Sequence, residues 1–158
     1  MTGGCNTLKV MRLALFAAAF LGVAACSRSS DAVREFSDRE ITMPDGRKVT
    51  VETMIDPSDM TRGMMFRDSL APDRGMLFVH GSPFKYPYWM YNVRIPLDII
   101  WLDQTRRVVE ISANTPPCKT KASQCPNYGG HENALYVLEL AGGMAAKYGV
   151  ANGAYISF

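Results

Sequence analysis

No nucleophile elbow, glycine-rich phosphate loop or zinc motif occurs in the 158 residues, so the commonest signatures of hydrolytic, nucleotide-dependent and zinc chemistry are missing. A charge excess is missing too. Two of the 17 basic residues, Lys9 and Arg12, precede an apolar stretch, and all 15 acids follow Cys26, which leaves 15 basic against 15 acidic residues beyond it. A nucleic-acid footprint needs a clustered basic excess, so no nucleic-acid partner is expected. The N-terminal apolar run, Leu13–Ala25, is free of charge for only 13 residues, whereas a membrane span needs about 20. Cysteine is scarce, with four in all. Repeats and low-complexity segments are absent.

What is present begins with a leader. The short apolar run after Lys9 and Arg12 fits a signal peptide over residues 1–25. It ends Val23-Ala24-Ala25-Cys26, which resembles the lipobox of bacterial lipoproteins, with Cys26 the lipidated first residue. Ordinary cleavage after Ala25 is the alternative, and Met11 is an alternative start. Ser27 rather than Asp follows the cysteine, a pattern similar to Gram-negative lipoproteins sent to the outer membrane. The expected location is therefore the cell envelope, facing the periplasm, with a membrane contact through the lipid at Cys26. Residues 26–35 read as the lipidated cysteine and a flexible tether reaching about 30 Å. Residues 36–158 read as a single β-rich domain. Cys5 leaves with the leader. In an oxidising compartment Cys118 and Cys125 read as a disulfide, worth ~2.5 kcal/mol for so short a loop. Their spacing is neither redox-like nor zinc-like, so no metal is expected, even with His131 close by in sequence.

The organising stretch is Tyr88–Asp103, which carries both tryptophans. From Ile95 to Leu102 both alternate faces are apolar, the pattern of a central strand covered on both sides. Asp98 lies within it and needs a partner, because a buried carboxylate is costly alone. Before it, Glu40–Met43 and Arg47–Ile55 flank the Pro44-Asp45-Gly46 turn and predict a hairpin. Asp56 and Pro57 open a short helix, and Gly63 closes it. Met76–Val79 predicts a short strand and His80–Pro87 a loop. Arg107–Ala113 and Leu135–Leu140 predict strands, with Thr115–Glu132 a long cysteine-bearing loop between them. Gly142–Tyr148 predicts a helix and Gly153–Phe158 a closing strand. The fold expected is mainly β (α+β minor), a compact antiparallel β-barrel or sandwich with one or two short peripheral helices.

Five blocks in this order are familiar: Arg62-Gly63-Met64-Met65-Phe66-Arg67, Gly75-Met76-Leu77-Phe78-Val79, Tyr88-Trp89-Met90-Tyr91-Asn92, Ile95-Pro96-Leu97-Asp98-Ile99-Ile100 and Val137-Leu138-Glu139-Leu140-Ala141-Gly142-Gly143. Together they resemble the domain-of-unknown-function 192 family, in a lipoprotein-type member, over roughly Val49 to the C-terminus. The resemblance implies a small exported or lipid-anchored β-rich domain and brings no established activity or cofactor. Two positions depart from the family pattern. Tyr91 stands where a lysine is usual, and Ala154 where an aspartate is usual.

Two chemistries are open. Asp98 and Glu139, both embedded in apolar strands, are either an acid–base pair facing one cleft or structural acids neutralised by Arg62, Arg67 or Arg94. Separately, Trp89 and Tyr91 share one strand face, opposite Tyr88 and Met90. One face suits the core. The other suits an aromatic platform, with Asn92 and Arg94 as polar contacts. Met60, Met64 and Met65 lie near one another, where core filling is the commoner role and a copper(I) site the rarer one. The expectation is a non-enzymatic binding module for a small polar ligand, a glycan or an envelope protein. Its binding candidates are Arg62, Arg67, Trp89, Tyr91, Asn92, Arg94 and Asp98. The alternative is a hydrolase acting on an envelope glycan or ester through Asp98 and Glu139.

Overall fold

A computed structural model of the chain describes residues 37–158; the leader, Cys26 and the tether lie outside them. The hairpin forms as expected, with β1 (Asp38–Thr42) antiparallel to β2 (Lys48–Met54). Gly46 takes φ +86°, a conformation that glycine adopts without a Cβ penalty, and the Asp45 carboxylate accepts from the Arg47 N–H at 3.0 Å. Helix α1 (Pro57–Arg62) follows. Asp56 caps it through the Ser58 N–H at 2.9 Å, Pro57 occupies the first turn and Gly63 ends it.

The chain then runs through β3 (Arg74–Phe84), β4 (Tyr88–Trp89), β5 (Leu97–Leu102), β6 (Val108–Thr115), β7 (Asn127–Tyr128), β8 (Ala134–Ala141) and α2 (Met144–Lys147). Six strands form one sheet in the order β1-β2-β3-β8-β5-β6, and β4 pairs with β7 in a two-stranded ribbon. The fold is thus α+β, two small sheets with short helices. All six residues of β5 are buried, as the two-sided apolar pattern requires.

Five expectations need correction. The sheet does not close into a β-barrel. Its edges, β1 and β6, never pair with each other. The C-terminal segment lies between them and makes single bridges, Thr42–Ser157 and Arg107–Tyr155, in place of the expected strand. Its few residues divide their hydrogen bonds between two edges and so complete neither ladder. Nor is there a broad second sheet for a sandwich among the described residues. The sheet is not wholly antiparallel: β2 and β3 are parallel, because residues 55–73 form a crossover through α1. Finally, β3 continues through Gly81 and Pro83, where a loop was expected. It still pairs Phe84 with Ala134 after a register shift, and such an irregularity tolerates both residues.

Each face of the sheet carries its own core. Val51, Leu77, Ile100 and Leu138 belong to one, closed by Ala145, Tyr148 and Ile156. Met76, Phe78, Ile99 and Trp101 belong to the other, closed by Met64, Met90 and Val93. Cys118 and Cys125 are disulfide-bonded, with Cα atoms 5.7 Å apart. The bridge braces the loop that carries β7, and the Cys118 N–H donates to the Met90 carbonyl at 3.1 Å. The loop then presses on the core. A Cβ at Gly129 would lie 2.3 Å from the Trp101 ring.

Candidate functional site

Asp98 pairs in register with Leu140 across β5 and β8, and Ile99 pairs with Glu139. Paired residues share a face and consecutive residues alternate, so Asp98 and Glu139 point to opposite sides of the sheet. The structure does not bring the two acids into one cleft.

Asp98 is fully buried, and its partners are backbone groups rather than arginines. One carboxylate oxygen accepts from the Asn114 N–H at 2.6 Å, the other from the Ala145 N–H at 2.7 Å, in the first turn of α2. Around it the Ile95–Ile100 and Val137–Gly143 blocks meet. Gly142 donates to the Pro96 carbonyl at 3.0 Å, and a Cβ there would lie 2.5 Å from the Asn114 side-chain oxygen. Asp98 therefore ties β5 to the β6 end and to α2, an architectural task.

The opposite face holds the polar groups that remain. A row runs across the sheet from Glu52 on β2 through Met76 on β3 and Glu139 on β8 to Ile99 on β5. Arg67 grips Glu52 with two parallel hydrogen bonds of 2.5 and 2.6 Å. Glu139 is 4% exposed, and its Oε2 has no hydrogen-bond partner. Burial pushes its carboxyl up to about 8, against a smaller downward pull from the Arg67 charge. Burial, with the Glu139 charge second, also raises the Tyr88 phenol well above its usual range. The Tyr88 hydroxyl lies 3.2 Å from His80 Nε2, and the His80 ring stacks on Tyr86 at 3.6 Å. Sequence reasoning missed Glu52 and His80. Glu52 sits on the polar side of an alternating strand, and His80 falls in a stretch read as loop; neither position signals its neighbours.

Above this row the Arg62–Arg67 and Tyr88–Asn92 blocks converge. Phe66 and Asn92 both adopt left-handed backbone, φ 66° and 58°, and the Phe66 N–H donates to the Asn92 carbonyl at 2.9 Å. Two non-glycine residues held this way represent stored strain, which concentrates at functional sites. Phe66 is left 51% exposed, with the Arg94 guanidinium 5.9 Å from its ring centroid. Arg94 also pairs with Asp68 at 2.8 Å. Trp89 is exposed and the half-buried Tyr91 lies beside it, ring centroids 5.3 Å apart, while Met90 is fully buried: the face opposite Trp89 is the core one. Arg62 stays exposed in the last turn of α1, where its charge suits the helix C-terminus. His131 bonds Glu110 through Nδ1 at 2.5 Å. Among the described residues no group of three or more His, Cys, Asp and Glu side chains is arranged to hold a metal ion.

This architecture and its motif positions place the chain in a family. Residues 40–158 match DUF192, described as uncharacterized ACR, and the chain belongs to that family. Two crystal structures are similar to it. One is of a Sinorhizobium meliloti 1021 protein provisionally described as a transcription regulator, 33% identical over 74% of this chain and 88% of that one, with a TM-score of 0.65. The other is of a protein of unknown function from Novosphingobium aromaticivorans DSM 12444, 31% identical over 77% and 84%, with a TM-score of 0.66. No curated protein matches.

Proposed function

We propose that this chain is a lipid-anchored envelope protein that binds glycans through the outward surface of Trp89 and Tyr91. Export behind residues 1–25, lipidation at Cys26 and a periplasm-facing position at the outer membrane belong to the same reading, from the Val23–Cys26 sequence. The observation that carries the binding role is an exposed tryptophan on a disulfide-braced ribbon: Trp89 is 39% exposed and rests against the half-buried Tyr91 just beyond the strand. Aromatic rings beside polar groups suit the apolar faces and hydroxyls of sugars. Asn92, Arg94 and the exposed Phe66 border the same turns. The hydrolase alternative loses its acid–base pair, since Asp98 and Glu139 occupy opposite faces. The relative's transcription label finds no echo in the charge of this chain, which is balanced beyond Cys26.

Oligomers of N-acetylglucosamine are the probe. Trp101 is fully buried, so a change in tryptophan fluorescence on titration reports mainly on Trp89. Calorimetry of Trp89→Ala should then show binding lost and the fold retained. Unchanged fluorescence at millimolar oligomer, or equal heats for wild type and Trp89→Ala, removes the glycan reading. A fatty-acid probe should label the wild type and not Cys26→Ser; equal labelling removes the anchor.

A further inference from the structure

The two faces of the sheet are filled with different chemistry. On the Asp98 face the core is almost wholly aliphatic, and Met43 is its one fully buried methionine. On the Glu139 face Met54, Met64, Met76 and Met90 are all buried in one cluster, with Met60 packed against its margin. Apolar volume alone does not call for this. Ordering a methionine costs more side-chain entropy than ordering a leucine. A leucine core would be the more stable filling.

A second observation falls in the same place. Glu139 pairs in register with Met76, and its buried Oε2 has no partner. An orphaned buried carboxyl oxygen lowers stability, so glutamine or leucine would serve the fold better. Arg67 does not satisfy this oxygen, because its two guanidinium hydrogen bonds both go to Glu52. Thus a costly acid neighbours one of these thioethers, Met76, on the sheet face whose core holds the others.

We propose that this face binds a soft monovalent metal ion, Cu(I) with Ag(I) as its probe, through the Glu139 carboxylate and the thioethers of Met64, Met76 and Met90. Thioethers select soft ions, and hard divalent ions require several oxygen ligands that this cluster does not supply. A single positive charge on a single carboxylate leaves the site neutral, which a buried position tolerates. Binding releases the Glu139 proton to solvent. The carboxylate and the sulfurs donate electron pairs to the ion, and no oxidation state changes. Met64 and Met90 lie beside Phe66 and Asn92 in the chain, and the backbone hydrogen bond between those two residues joins the turns that carry both thioethers. The proposal does not depend on glycan binding.

The test uses the full chain carrying Cys5→Ser and Cys26→Ser, so that no free thiol competes. Cu(I) is offered in bicinchoninate under nitrogen with ascorbate, which leaves the Cys118–Cys125 bridge intact. Expected are one ion per chain and a melting temperature raised by Ag(I). Glu139→Gln and Met76→Leu should each weaken uptake roughly tenfold or more, and Met43→Leu on the other face should change nothing. Failure to take Cu(I) from the chelator overturns the proposal. So does uptake that Glu139→Gln, Met76→Leu and Met43→Leu leave equal, which marks adventitious thioether binding. Should Met76→Leu fold poorly by circular dichroism, Met64→Leu takes its place.

Discussion

Asp98→Ala removes a carboxylate that accepts two short backbone hydrogen bonds, 2.6 Å from Asn114 and 2.7 Å from Ala145. No solvent reaches Asp98 to replace it. Each N–H left without a partner costs about 1–3 kcal/mol, so the variant should lose roughly 3–5 kcal/mol once the small cavity is included. That is a large share of the ~5–15 kcal/mol a domain possesses. Asp98→Asn keeps the shape but has one acceptor oxygen. Its amide would face one N–H donor with another donor, so it should lose about half as much. Urea melts of the three proteins, with m-values compared, measure both differences. Amide exchange at Ala145 should quicken most, because α2 is docked through that bond. A loss below about 1 kcal/mol for Asp98→Ala would refute the reasoning, since it would mean that the two N–H groups find other partners at little cost.

Three further expectations follow from the same geometry. Glu139 has a folded value of about 8, above its ordinary carboxyl range. The folded state therefore binds the extra proton, and its stability contribution is full below about pH 4.5 and lost as pH rises to about 8, on the order of 5 kcal/mol in all. Glu139→Gln should remove that slope and exceed the wild type in stability at pH 8; parallel pH–stability curves for the two would contradict it. Replacing both Cys118 and Cys125 with serine should cost ~2.5 kcal/mol in a chemical melt, by loop-closure entropy, and loosen the β4–β7 ribbon; an unchanged midpoint would contradict this. Gly129→Ala should destabilise by about 1–3 kcal/mol, because its Cβ meets the Trp101 ring at φ +63°. Gly81→Ala, with open space around the new Cβ, should be close to neutral, and thermal melts compare the two.

Much of the local structure was legible from the chain itself. The Pro44-Asp45-Gly46 turn, the Asp56–Pro57 helix start, the two-sided apolar strand at Leu97–Leu102 and the pairing of Cys118 with Cys125 all rest on chemistry within a few residues, and all four are present. Alternation also set Met90 and Trp89 on opposite faces, because successive side chains on a strand point to opposite faces, and the structure shows Met90 to be the buried one. Tertiary structure alone decided how these pieces met. Alternation says which residues of one strand share a face, but register between strands sets which faces coincide. That register put Asp98 and Glu139 on opposite sides of the sheet. It also put Glu52 and Glu139 in one row, although 87 positions separate them in the chain. The partner of Asp98 was hidden for the same reason. A sequence displays arginines but not the direction of backbone N–H groups, and those groups, brought from β6 and α2, are what the carboxylate holds. The open sheet with its parallel β2–β3 pair was likewise set by the path of a crossover and by a C-terminal segment divided between two edges, both products of packing at long range.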